Sequence, residues 1–183
     1  MRKTIFSLTP AALVLLAVAG NAQAASNAQL TVTANVIAST CDVSLSTNNL
    51  DLGNYAASAF SGVATPIPAS KKSFTVGLNN CDAPGATGDK AYLVVSGPVL
   101  GGNPNMSNST GTNTGVMLNQ VATPTTYINN NEKVLVATAG STPAVGDFNT
   151  KTLNLQAGLA STTTTGISIG AVSAPILFAF AYN

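Results

Sequence analysis

Apolar and polar residues alternate along much of this chain with a period of two, the period of strands rather than helices. Leu30, Val32, Ala34 and Val36 are interleaved with Gln29, Thr31, Thr33 and Asn35, which predicts a long strand running toward Ile37 and Cys41. Val43 and Leu45 continue it briefly, Asn48 and Asn49 turn the chain, and Leu50-Asp51-Leu52-Gly53 opens a further extended piece. Pro66 and Pro68 mark a connection, after which Phe74, Val76 and Leu78 alternate up to Cys81. A turn rich in Pro, Gly and Asp spans 82–89, and Tyr92 to Val95 reads as a strand closed by Gly97 and Pro98. Residues 101–115, with Gly-Gly, Asn-Pro and runs of Asn, Ser and Thr, read as the longest loop. Further strands are predicted at Val116 to Leu118, Val134 to Ala137 and Leu153 to Leu159. No segment carries a capped helical stripe of about 12 residues, so the expected fold class is all-β, a sandwich of short strands.

The last predicted strand is the most demanding. Ile176, Phe178, Phe180 and Tyr182 share one face, with Ala179 and Ala181 on the other. A strand with such a face and no later segment to cover its edge is an aggregation hazard unless a neighbour is supplied.

Composition narrows where that neighbour could come from. Arg2 and Lys3 precede an apolar run from Ala11 to Gly20 and the small-x-small pattern Ala22-Gln23-Ala24, so residues 1–24 read as a signal peptide. The run is too short for a membrane span, which needs roughly 20 apolar residues. Beyond it, five lysines face six carboxylates, a balance that argues against nucleic acid or an anionic membrane as a partner. Two cysteines, Cys41 and Cys81, in an exported chain predict one disulfide.

Catalytic chemistry has little to build on. The chain has no His and no Trp, and no Arg after residue 2. Its carboxylates, Asp42, Asp51, Asp82, Asp89, Glu132 and Asp147, are scattered through predicted turns. No nucleophile has a His to activate it, and no phosphate-binding glycine loop or metal-ligand spacing appears, so neither an enzyme nor a cofactor site is expected. The tripeptides beginning at Asn105 and Asn108 fit a glycosylation sequon but are short enough to arise by chance.

Taken together, the signal segment, the alternating stretch before Cys41, the run Leu50 to Gly53, the Phe74-x-Val76-x-Leu78-x-x-Cys81 pattern, Gly170 fourteen residues from the end and the penultimate Tyr182 resemble bacterial fimbrial subunits of the chaperone–usher pathway, type 1 pilins in particular. The resemblance covers residues 25–183. It implies an incomplete immunoglobulin-like sandwich, lacking its seventh strand and completed by a strand donated from another molecule. It further implies that residues 25–36 form the donor extension, with Ala28, Leu30, Val32, Ala34 and Val36 filling a neighbour's groove, and that 37–183 form the pilin domain. Gly170, Ile176, Phe178, Phe180 and Tyr182 match the acceptor side, and the Asn183 carboxylate matches the group held by basic residues of the chaperone. The implied partners are a periplasmic fimbrial chaperone, an outer-membrane usher and neighbouring pilin subunits, and the implied location is a fimbria at the cell surface that supports adhesion. Ala34 departs from the family, which usually has glycine there. A single-domain adhesin that meets a host glycan or protein through the 101–115 loop is the alternative reading.

Overall fold

A computed structural model describes residues 40–183; the expected donor extension, with Ala28, Leu30, Val32, Ala34 and Val36, and the expected signal segment lie outside the described residues. The described chain forms nine strands: β1 Asp42–Leu45, β2 Lys72–Asn79, β3 Lys90–Ser96, β4 Val99–Leu100, β5 Asn103–Ser107, β6 Thr114–Gln120, β7 Glu132–Thr138, β8 Thr152–Ser161 and β9 Leu177–Tyr182. Three single 3-10 turns, at Ala57–Ala59, Pro68–Ser70 and Val145–Asp147, are the helical elements among the described residues. The all-β expectation holds.

The strands form two sheets, one ordered β1-β2-β8-β6-β5-β4 and the other β7-β3-β9. Alternation decides which side chains lie between them. On β3, Ala91, Leu93 and Val95 are buried while Tyr92 and Val94 point outward. Val76 and Leu78 on β2, Leu118 on β6, Val134 on β7 and Leu153, Leu155 and Ala157 on β8 complete the interior with Phe148, which is fully buried. Burying side chains of this size is worth roughly 1.5–3 kcal/mol each, which is why a chain with so few charges holds a defined sandwich.

A second, smaller cluster lies on the outer side of the larger sheet, where Met106 and Met117 pack with Ala160. Gly115 is what admits Met106: a Cβ there would sit 2.7 Å from the Met106 Cγ.

The predicted disulfide is present between Cys41 and Cys81, 40 residues apart in sequence. It closes the open end of the β1–β2 pair, whose register sets Asp42 opposite Asn79 and Leu45 opposite Val76. Residues 50–53 are not paired into a strand, and Leu50 and Leu52 pack against the interior. One expectation needs correction. The 101–115 stretch is not one loop: β5 occupies its middle and β6 begins at Thr114, leaving a turn over 108–113. The polar composition concealed β5 because Met106 is its one buried side chain.

Candidate functional site

β9 pairs with β3 along one edge only, with Ala91 opposite Tyr182, Leu93 opposite Phe180 and Val95 opposite Phe178. Among the described residues no strand pairs with its other edge. An open groove of about 1320 Å³ reaches the start of β9, where Leu177 and Phe178 line it. One wall is the irregular segment from Thr47 to Ala57, and the other runs from Ile167 into β9 as far as Phe178. Phe74, Val116, Leu118, Ala157 and Leu159 supply the apolar floor. A trough of this kind, with a bare backbone edge at its end, can accept an extended segment by hydrogen bonding its main chain and burying alternate side chains.

Each wall is held by polar contacts. In the first, the Gly53 amide donates to the Asp51 carboxylate at 2.9 Å, and Gly53 has a positive φ of 97° that a side chain would strain. The Tyr55 hydroxyl lies 2.9 Å from the Leu52 carbonyl and 2.8 Å from that of Ala69, tying the wall to the body of the domain. In the second wall, the Ser109 amide and hydroxyl donate to the Ser173 carbonyl, and the Thr110 hydroxyl to that of Ala171.

The sequence-predicted acceptor residues divide into two groups. Gly170, Ile176 and Phe178 line the groove. Phe180 and Tyr182 lie on the same face of β9 but beyond the groove, half-buried against the interior. Phe178 meets the Phe74 ring edge-on with centroids 5.9 Å apart, and Tyr182 meets Phe148 likewise at 6.1 Å. Asn183 continues the pairing with β3 past the strand end: its amide donates to the Lys90 carbonyl and its carbonyl accepts from the Lys90 amide.

Tyr182 also carries a polar role. Its hydroxyl donates to the Asp89 carboxylate and accepts from the Gly85 amide at 2.9 Å, while the Ala86 amide donates to the same carboxylate oxygen. The Tyr182 hydroxyl, followed by the Ala86 amide, holds the Asp89 carboxyl below its ordinary value of 3.8. The end of β9 is thereby fastened to the 82–89 turn.

Leu50, Leu52, Val116, Leu118 and Leu159 belong to the groove as well, and sequence reasoning placed none of them there. The alternation marks Val116, Leu118 and Leu159 as strand residues, but which sheet edge they floor depends on strand order.

Two packed sheets with an apolar trough that opens beside the start of a strand paired on one edge only define an incomplete immunoglobulin-like sandwich of the pilin type. A family model described as fimbrial protein matches residues 26–183. The chain belongs to the fimbrial protein family. It is 39% identical over 108 residues to a type-1 fimbrial protein subunit of Serratia marcescens; the match covers 58% of this chain and about half, 54%, of that relative's length. Two solved structures share the fold. The P pilus rod subunit PapA matches at a TM-score of 0.53 with 17% identity, over 78% of this chain and 99% of its own. A chaperone–usher pilus described for its rod uncoiling matches at 0.52 with 18% identity, over 87% and 97%.

Proposed function

We propose that this chain is a structural pilin that polymerises by donor strand exchange, without an enzymatic step. Residues 1–24 direct export, residues 25–36 are the donor extension, and 37–183 form the body that receives the extension of the next copy. The observation that carries this reading is the apolar groove walled by Ile167 to Phe178, a segment that ends in β9, which pairs on one edge only among the described residues. The wall from Ile167 to Phe178 is as long as the segment from Ala25 to Val36, twelve residues each. Leu30, Val32 and Val36, with Ala28 and Ala34 between and beside them, offer the alternate apolar side chains such a trough takes. Three or four buried aliphatic groups contribute on the order of 5 to 10 kcal/mol per joint before ordering costs.

A chaperone strand occupies the same groove during passage through the periplasm, an outer-membrane usher exchanges it for the incoming subunit, and the product is a surface fimbria that supports adhesion. The adhesin reading through residues 101–115 is not favoured, because β5 is paired within its sheet and the side chains of the 108–113 turn are taken up by hydrogen bonds within the domain. The test is deletion of residues 25–36 with the body left intact. Expected is a folded, disulfide-bonded subunit that forms no fibres; fibres of normal length from the truncated chain would overturn the proposal.

A further inference from the structure

The turn between β5 and β6 is polar, yet its Asn108, Ser109, Thr110, Thr112 and Asn113 side chains are all hydrogen-bonded within the domain. Asn108 is buried; its amide nitrogen donates to the carbonyls of Thr112 and Thr114 and to the Thr112 hydroxyl, and its oxygen accepts from the Thr110 amide and hydroxyl. A side-chain amide so engaged is unavailable for modification. Its work is to shape the turn that presents Ser109, Thr110 and Asn113 to the groove wall.

Asn113 stands just before β6 and joins three parts of the chain. Its carbonyl accepts from the Thr162 amide at 2.9 Å at the end of β8. Its side-chain nitrogen donates to the Gly166 carbonyl at 2.9 Å and the Thr163 hydroxyl at 3.0 Å, and its side-chain oxygen accepts from the Ser168 amide at 2.8 Å. Further along, the carbonyls of Ala171 and Ser173, two residues apart, are both taken by Thr110 and Ser109. Carbonyls in an extended segment alternate between its two edges. With Ala171 and Ser173 turned to the 108–113 turn, Gly170, Val172 and Ala174 present their main chain to the opposite edge. Together with Ala171 and Ser173 they line the groove.

We propose that the 108–113 turn is a brace that sets the position and facing of this wall, and that Asn113 is a positioning residue for strand acceptance. The inference rests on the donor-strand reading and assigns to the turn a role in acceptance distinct from donation. A chain lacking the Asn113 side chain keeps residues 25–36 and still donates, but its own groove wall is no longer held for an incoming strand.

The experiment follows fibre growth of the full chain by light scattering and electron microscopy, alone and in mixtures. Asn113→Ala alone is expected to assemble about tenfold more slowly, the scale of one or two lost hydrogen bonds. Mixed with wild-type chains it is expected to enter fibres and shorten them, because it donates and then fails to accept. Assembly at the wild-type rate would overturn the brace and leave strand exchange standing. Loss of both donation and acceptance would also overturn it, since that marks general unfolding rather than positioning. Normal fibres from the 25–36 deletion would overturn strand exchange and the brace together. If Asn113→Ala does not fold, Thr110→Val carries the test: it removes the hydroxyl shared between the Ala171 carbonyl and the Asn108 side-chain oxygen while the Thr110 amide still donates to Asn108, and acceptance slowed several-fold with donation intact is expected, unchanged acceptance being the refuting result.

Discussion

Tyr182 shows how one side chain can serve two ends. Its ring stands edge-on to the buried Phe148, and its hydroxyl fastens the end of β9 to Asp89 and Gly85. The aromatic half was legible, because Tyr182 falls in register with Phe178 and Phe180 in a period-two pattern. Its polar partner was not: Asp89 lies 93 residues earlier in an ordinary turn motif, and only the pairing of β3 with β9 brings them together. Because folding depresses the Asp89 carboxyl, its contribution is present above the unfolded value of 3.8 and is lost as pH falls through the lower folded value. Tyr182→Phe removes the main cause of that depression. The variant is therefore expected to be less stable than wild type at neutral pH, with the gap closing on acidification. Urea midpoints measured at neutral and strongly acidic pH test this, and a gap that stays constant with pH would refute it. Phe148 gives a simpler expectation. Truncating a fully buried ring to Ala should cost about 3–5 kcal/mol by chemical denaturation.

Elements whose side chains alternate between an apolar interior and solvent could be read from the pattern, as β2, β3, β8 and β9 show. β5 could not be, since Pro104, two asparagines and a serine surround its one buried residue, Met106. What makes it a strand is the space that Gly115 leaves for that methionine on the neighbouring β6. The groove walls were equally hidden: neither 47–57 nor 167–176 is a regular strand, and both are fixed by turns and side-chain hydrogen bonds to distant residues. β1 is the complementary case, an element of four residues with a legible anchor. The bond from Cys41 to Cys81 closes a loop of 40 residues and holds β1 against β2 beside the groove. On the chain-entropy account such a loop is worth about 4 kcal/mol. The paired substitution Cys41→Ser and Cys81→Ser is expected to lower unfolding free energy by about that amount, and a loss under about 1 kcal/mol would show that the β1–β2 ladder holds without it.

At the scale of the whole molecule, the two sides of the proposed joint differ in legibility for a physical reason. A donor segment is a local pattern: the alternation of Leu30, Val32 and Val36 is visible in the spacing, and the resemblance to fimbrial subunits gives it a donor role. An acceptor is a tertiary object: its floor takes Phe74 from β2, Val116 and Leu118 from β6, and Ala157 and Leu159 from β8. The charges add a further constraint on how the two meet. Of the described residues lining the groove, Asp51 alone is charged, and residues 25–36 carry no charged side chain. Association of a strand without charged side chains with a nearly uncharged trough is driven by apolar burial and main-chain hydrogen bonding, neither of which is screened by salt at these distances. Electrostatically steered association, in contrast, slows steeply as ionic strength rises. Fibre growth of the purified chain, with no chaperone or usher present, is therefore expected to change by less than about twofold between low and physiological salt. Light scattering at the two ionic strengths provides the measurement. A fall of about tenfold or more would mean that charges outside the groove steer the encounter, and the apolar joint would no longer account for assembly.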